Sequence, residues 1–150
     1  MIDRFERFSF AISEISRCWH RIAAEEMGRF GLKGPYAVYF TTLSRYPQGI
    51  SAAQLGELSG RDKADVSRAL NFLEDKGFIC RDIPQQKAYR APIRLTEQGQ
   101  ELARQINEKA QIAVEQASAG LTPEKRAVFY EALGLITENL QTLSKNGLPK

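Results

Sequence analysis

The sequence predicts a mainly α-helical fold with one small β hairpin, and three observations carry that prediction. The stretch from Ser51 to Ile79 reads as two short helices joined by a tight turn, the second running into a strand. A further strand-like run, Tyr89 to Leu95, follows a polar turn and closes a hairpin onto it. Both ends of the chain repeat apolar residues at alternating spacings of three and four, the pattern of long helices with one apolar stripe.

Taken in order, the first helix carries Phe5, Phe8, Ile12, Ile15, Trp19 and Ile22, a seam of coiled-coil type that equally suits the core stripe of an ordinary amphipathic helix. Gly28, Gly31 and Gly34-Pro35 interrupt it, and Tyr36 to Arg45 reads as a second helix with Pro35 in its first turn. After the turn Tyr46-Pro47-Gln48-Gly49, Ser51 with Gln54 three residues on forms a capping box, and Ile50 is set to staple onto Leu55. Ser59-Gly60 ends this third helix, glycine tolerating the positive φ of a sharp turn. Asp62 caps a fourth helix that stops before Gly77. The first strand takes in Phe78 to Ile83, and Pro84 to Ala88 make the hairpin turn. Thr96 caps a long fifth helix with Leu102, Ile106, Ala110, Ala113 and Ala117 on one face, ended by Ala119-Gly120. Thr122-Pro123-Glu124 then supplies an N-cap, a proline at the first helical position and an acid in the first turn. The last helix repeats Phe129, Leu133, Ile136, Leu140 and Leu143, and the tail from Asn146 is expected to fray.

At about 100° per residue, Val66, Ala69, Leu70 and Leu73 share one side of the fourth helix, and Ala64, Ser67, Arg68 and Asn71 the other. The second set suits a nucleic-acid groove. Arg68 has the reach for guanine or phosphate, Asn71 pairs with adenine, Ser67 bonds to either, and the small Ala64 permits close approach. Arg61 and Lys63 fall where phosphates would lie. The plainer reading is a solvated helix face; a helix-turn-helix followed directly by a hairpin, a winged helix, favours the nucleic-acid one.

With G-F-I-C-R from Gly77 to Arg81 and L-T-E-Q-G from Leu95 to Gly99, that order of elements resembles the MarR family of bacterial transcription regulators over essentially the full chain. The resemblance implies a homodimer built by the N- and C-terminal helices, here residues 1–34 and 97–146, around a reader lobe of residues 35–96. Phe5, Phe8, Ile12, Ile15, Phe129, Leu133, Ile136 and Leu140 are the candidate dimer contacts. It further implies a pseudopalindromic double-stranded DNA operator, repression and a small-molecule effector. Trp19, Tyr36, Tyr39 and Phe40 are candidates for the effector pocket's wall, although aromatics at helical spacing are more often core. One departure concerns the wing: where the family commonly carries Asp-x-Arg, this chain has Lys87-Ala88-Tyr89, which leaves Lys87 or the adjacent Arg90 for the minor groove. Some family members also sense oxidants through a first-helix cysteine near tyrosines. Cys18, with Arg17 and Arg21 beside it, makes a thiol-based regulator an alternative reading, the plainer one being a small apolar residue beside the seam.

Composition narrows the rest. At 150 residues with 43% hydrophobic content, the chain suits a single domain, and a net charge of +3 permits nucleic-acid binding without demanding it. Charged residues interrupt the N-terminus, and no apolar run approaches the roughly 20 residues of a membrane span, so no membrane partner and a cytoplasmic location are expected. Catalysis has no motif to rest on: His20 is the lone histidine, Cys18 and His20 point about 200° apart on a helix, and no metal or cofactor site is expected. Cys80 falls on a strand position expected to be exposed. A winged helix used as a protein–protein module is the rival from another functional class.

Overall fold

The computed structural model describes residues 3–81 and 91–150. Among these described residues, six helices and a two-stranded sheet follow one another: α1 (Arg4–Gly28), a 3-10 turn (Gly34–Tyr36), α2 (Ala37–Ser44), α3 (Ala52–Ser59), α4 (Lys63–Asp75), β1 (Ile79–Arg81), β2 (Ile93–Leu95), α5 (Glu97–Ala117) and α6 (Pro123–Asn146). The fold is mainly α with a small β hairpin, as the sequence predicts. Two compact units compose the chain, Met1–Ala110 and Gln111–Lys150.

Local signals set the helix ends. Ser51 and Gln54 close a reciprocal capping box, with Gln54 N–H donating to Ser51 Oγ at 3.1 Å and Ser51 N–H to Gln54 Oε1 at 2.9 Å. Gly60 ends α3 in the left-handed region at φ +68°. Asp62 accepts from the Asp65 amide at 2.8 Å, and Thr122 from the Lys125 amide at 3.2 Å, so both expected caps form. Pro35 does not open an α-helix: it sits in the 3-10 turn, and α2 begins only at Ala37.

The first unit has its own core, in which Phe40, Met27, Leu43, Leu55, Leu70, Leu73 and Ile93 are fully buried. β1 and β2 pair antiparallel with Ile79 opposite Leu95, Cys80 opposite Arg94 and Arg81 opposite Ile93. Ile50 adds a bridge to Ile93, donating at 3.2 Å and accepting at 2.7 Å, which ties the entry to α3 into the sheet. Nothing in the residues around Ile50 announces that pairing. Cys80, expected to be exposed, is half-buried.

The two sequence motifs lock together at the start of α5. Thr96 donates its hydroxyl to the Gly77 carbonyl at 2.6 Å and accepts from the Gly99 amide at 3.0 Å, while its own amide reaches the Phe78 carbonyl at 3.0 Å. Gly99 lies so close that a Cβ there would stand 2.0 Å from the Phe78 carbonyl oxygen. Only glycine allows that approach.

In the second unit, α6 buries no residue. Val128, Phe129, Tyr130, Leu133, Leu135, Ile136 and Leu140 are all exposed.

Candidate nucleic-acid interface

Helix α4 divides as its periodicity requires. Val66, Ala69, Leu70 and Leu73 are buried in the core, and Ala64, Ser67, Arg68 and Asn71 are exposed in a row on the other side. Burial of four apolar side chains on one face fixes the depth at which the helix sits, at about 1.5–3 kcal/mol for each of the larger ones. What remains outward is a short polar surface with one long cation.

That cation is not free. Arg68 Nη2 donates to Asp65 Oδ1 at 2.5 Å, with both side chains well exposed. An exposed pair of this kind contributes little to stability, yet it orients the guanidinium along the helix and places an acid beside the polar row. Asp65 was missed in the sequence, although its spacing of three from Arg68 is the spacing at which helix side chains meet. Lys63 is exposed in the first turn, and Arg61 is half-buried in the turn before it. A lysine in the first turn opposes the helix dipole, an arrangement that an approaching anion would relieve.

Behind α4, Tyr39 is buried and its phenol is pushed up by that burial, a shift which Arg61 partly opposes. Tyr36 stacks on Phe72 of α4 with ring centroids 5.1 Å apart and planes at 3°. Of the aromatic pocket candidates, Phe40 is fully buried edge-on to Phe78 and Tyr39 nearly so; both are core residues in this chain. Tyr36 is half-buried and Trp19 exposed on α1. A cleft of about 350 Å³ opens instead between the end of α2, β2 and α5, lined by Leu43, Ser44, Pro47, Leu95, Gln100, Ala103, Arg104 and Asn107; none of the four candidates reaches it.

Cys18 is exposed and its thiol donates to Glu14 Oε1 at 3.7 Å. Arg17 pairs with the same Glu14, and Arg21 with Glu25 at 3.7 Å, so both neighbouring cations are engaged by acids. His20 lies on the same helix with Nδ1 3.2 Å from Ser16 Oγ. Among the described residues no group of three His, Cys, Asp or Glu side chains is placed to hold a metal. Among the described residues no helix is long and apolar enough to cross a membrane. The wing candidates Lys87 and Arg90 lie outside the described residues. At the hairpin's base, Arg81 Nε stands 3.0 Å from Glu74 Oε2, tying β1 to the last turn of α4.

A MarR regulator from Listeria monocytogenes, solved in complex with a 26mer DNA, superposes with a TM-score of 0.81 at 24% identity, covering 100% of this chain and 99% of that one. The chain has the MarR fold. A MarR regulator from Methanosarcina mazei Go1 gives a TM-score of 0.80 at 22% identity, with 95% and 94% of the two chains covered. One from Silicibacter pomeroyi gives 0.78 at 21% identity over 92% of each. Sequence similarity is thinner than the shared MarR fold: no protein-family model matches the chain. A curated relative, the uncharacterized HTH-type transcriptional regulator YfiV of Bacillus subtilis (strain 168), is 23% identical over 96 residues, covering 64% of this chain and 60% of that protein's length.

Proposed function

We propose that the chain is a sequence-specific double-stranded DNA-binding transcription regulator, acting in the cytoplasm as a homodimer and repressing until a small-molecule effector binds. The observation that carries this reading is the outward row Ala64, Ser67, Arg68 and Asn71 on a helix whose opposite face is core. These residues have the hydrogen-bonding chemistry of major-groove readout, and Lys63 and Arg61 lie where phosphates would flank it. Lys87 or Arg90 of the wing would take the minor groove. The reading draws support from the MarR fold and from the DNA-bound neighbour that shares it.

The homodimer reading rests on apolar surface that the chain leaves uncovered. Phe5, Phe8, Ile12 and Ile15 on α1, and Phe129, Leu133, Ile136 and Leu140 on α6, are all exposed. A second copy would bury both stripes. A two-fold dimer of this kind presents its α4 helices to successive major grooves about 34–36 Å apart, hence to a pseudopalindromic operator. Trp19 and Tyr36 retain ring surface for an effector, which would act by binding one spacing of the two α4 helices better than another.

The test is a fluorescence-anisotropy titration against the intergenic DNA beside the protein's own gene, with random DNA as control, at physiological salt. Saturation at one dimer per site on the intergenic DNA alone is the expected result. Binding to neither DNA would overturn the reading in favour of a protein–protein module.

A further inference from the structure

Two contacts join α1 to α4 through one short turn. Gly34 sits directly on the backbone of α1: a Cβ there would stand 3.1 Å from Ala24 N and 3.2 Å from its Cα. Two residues later, Tyr36 lies flat on Phe72, centroids 5.1 Å apart and planes at 3°. Lys76 Nζ also stands over the Phe72 ring, 5.6 Å from its centroid. Tyr39, 6.4 Å from Tyr36 between ring centroids, is buried with Arg61, Asp62 and Asp65, the opening of α4, in its electrostatic surroundings. The segment seated on α1 therefore meets α4 near its end, at Phe72.

Helical geometry says what the second contact does. At about 100° per residue, Phe72 lies on the flank of α4, between the core face centred on Val66 and Leu73 and the outward face centred on Ala64 and Asn71. Core burial sets how deep α4 sits. A rigid ring stacked on the flank resists its roll about its own axis, and roll decides where Arg68 and Asn71 point.

We propose that Tyr36 is a positioning residue for DNA reading, its stack on Phe72 coupling the roll of α4 to α1. The inference rests on the DNA-binding reading above and deepens it. In a dimer joined through α1, the turn carries the geometry of the subunit interface to the outward face of α4, so loss of the stack loosens the match to one half-site spacing. Tyr36→Phe keeps the flat ring, Tyr36→Leu keeps bulk without it, and Tyr36→Ala removes both.

The three variants and the wild type are titrated by anisotropy against the bound intergenic site, against that site with one base pair inserted or deleted between its halves, and against random DNA. Amide hydrogen exchange of α4 is followed in the same proteins without DNA. Tyr36→Phe is expected to match the wild type. Tyr36→Leu and Tyr36→Ala are expected to bind the natural spacing about tenfold more weakly, to discriminate less between spacings, to hold random DNA as before and to exchange α4 amides faster. Wild-type affinity and spacing preference in Tyr36→Leu would overturn the proposal while leaving the DNA-binding reading intact. If the wild type binds no DNA, that reading and the role of Tyr36 in DNA reading fall together. The exchange data then test only the brace itself: unchanged α4 amides in Tyr36→Leu overturn it too.

Discussion

Helices α4 and α6 are both long enough to carry a full stripe of apolar residues, yet the chain uses them in opposite ways. On α4 the stripe is spent inside: Val66 and Leu73 are 3% and 0% exposed, and what faces outward is polar. On α6 the corresponding stripe faces outward, with Leu133 at 42% and Ile136 at 37%. A polar outward face is content in water and waits for a polar partner. An apolar one is costly in water, at about 25 cal/mol for each Å² left uncovered, and calls for a protein surface. The same periodicity thus leaves a polar face outward in one place and an apolar face outward in the other, and the difference lies in which side the fold covers.

The largest effect should come from breaking the apolar side of this comparison. The double substitution Leu133→Asp with Ile136→Asp is expected to weaken self-association by about three orders of magnitude, on about 2 kcal/mol for each buried anchor. Sedimentation equilibrium reads it, and an unchanged dimer would show that α6 does not face a second copy.

Next comes the lock that holds α5 against β1. Gly99→Ala drives a methyl group into the Phe78 carbonyl. A loss near the upper end of the about 1–3 kcal/mol typical of overpacking is expected in denaturant unfolding. Arg68→Ala tests the polar side: operator affinity should fall by about 1–3 kcal/mol if the guanidinium leaves Asp65 for a base, while melting temperature stays put. An unaltered affinity in a folded dimer removes Arg68 from the reading surface.

The smallest effect belongs to a surface that belongs to neither face. Arg104 bonds Glu101 at 2.6 Å and Glu108 at 2.5 Å, and holds the Glu101 carboxyl down at about 2 from the usual 4.5. A depressed carboxylate contributes stability that is complete above its unfolded value and is lost as pH falls through the folded one. Its share should therefore fade between about pH 4.5 and 2, shallowly, because the pair is exposed to solvent. Acid titration of Glu101→Gln beside the wild type checks this; the two curves should converge at the acid end.

Much of the outward face of α4 is legible before folding. Ser51 with Gln54, Asp62, and Thr122 before Pro123 all form the caps their types announce, because a cap bonds backbone only three residues away. The split of α4 follows from the same short range. By contrast, nothing in the neighbourhood of Phe72 announces Tyr36 as its partner, and the Asp65 that holds Arg68 is found only by asking what stands one turn away. The aromatic pocket candidates show the limit most plainly: Phe40 and Tyr39 carry the right chemistry and lie in the core, whereas the cleft that does open is lined by other residues.

Legible in the residues alone were the caps at Ser51, Asp62 and Thr122, the turn at Gly60, the two faces of α4 and the mainly α class with its hairpin. These depend on hydrogen bonds and side-chain periods that close within about four residues. Only the tertiary structure decided that Ile50 pairs with Ile93, that Thr96 and Gly99 clasp Gly77 and Phe78, and that Tyr36 braces Phe72. Each of those joins residues some 20 to 40 positions apart, where the chain's own chemistry offers many partners and close packing selects one.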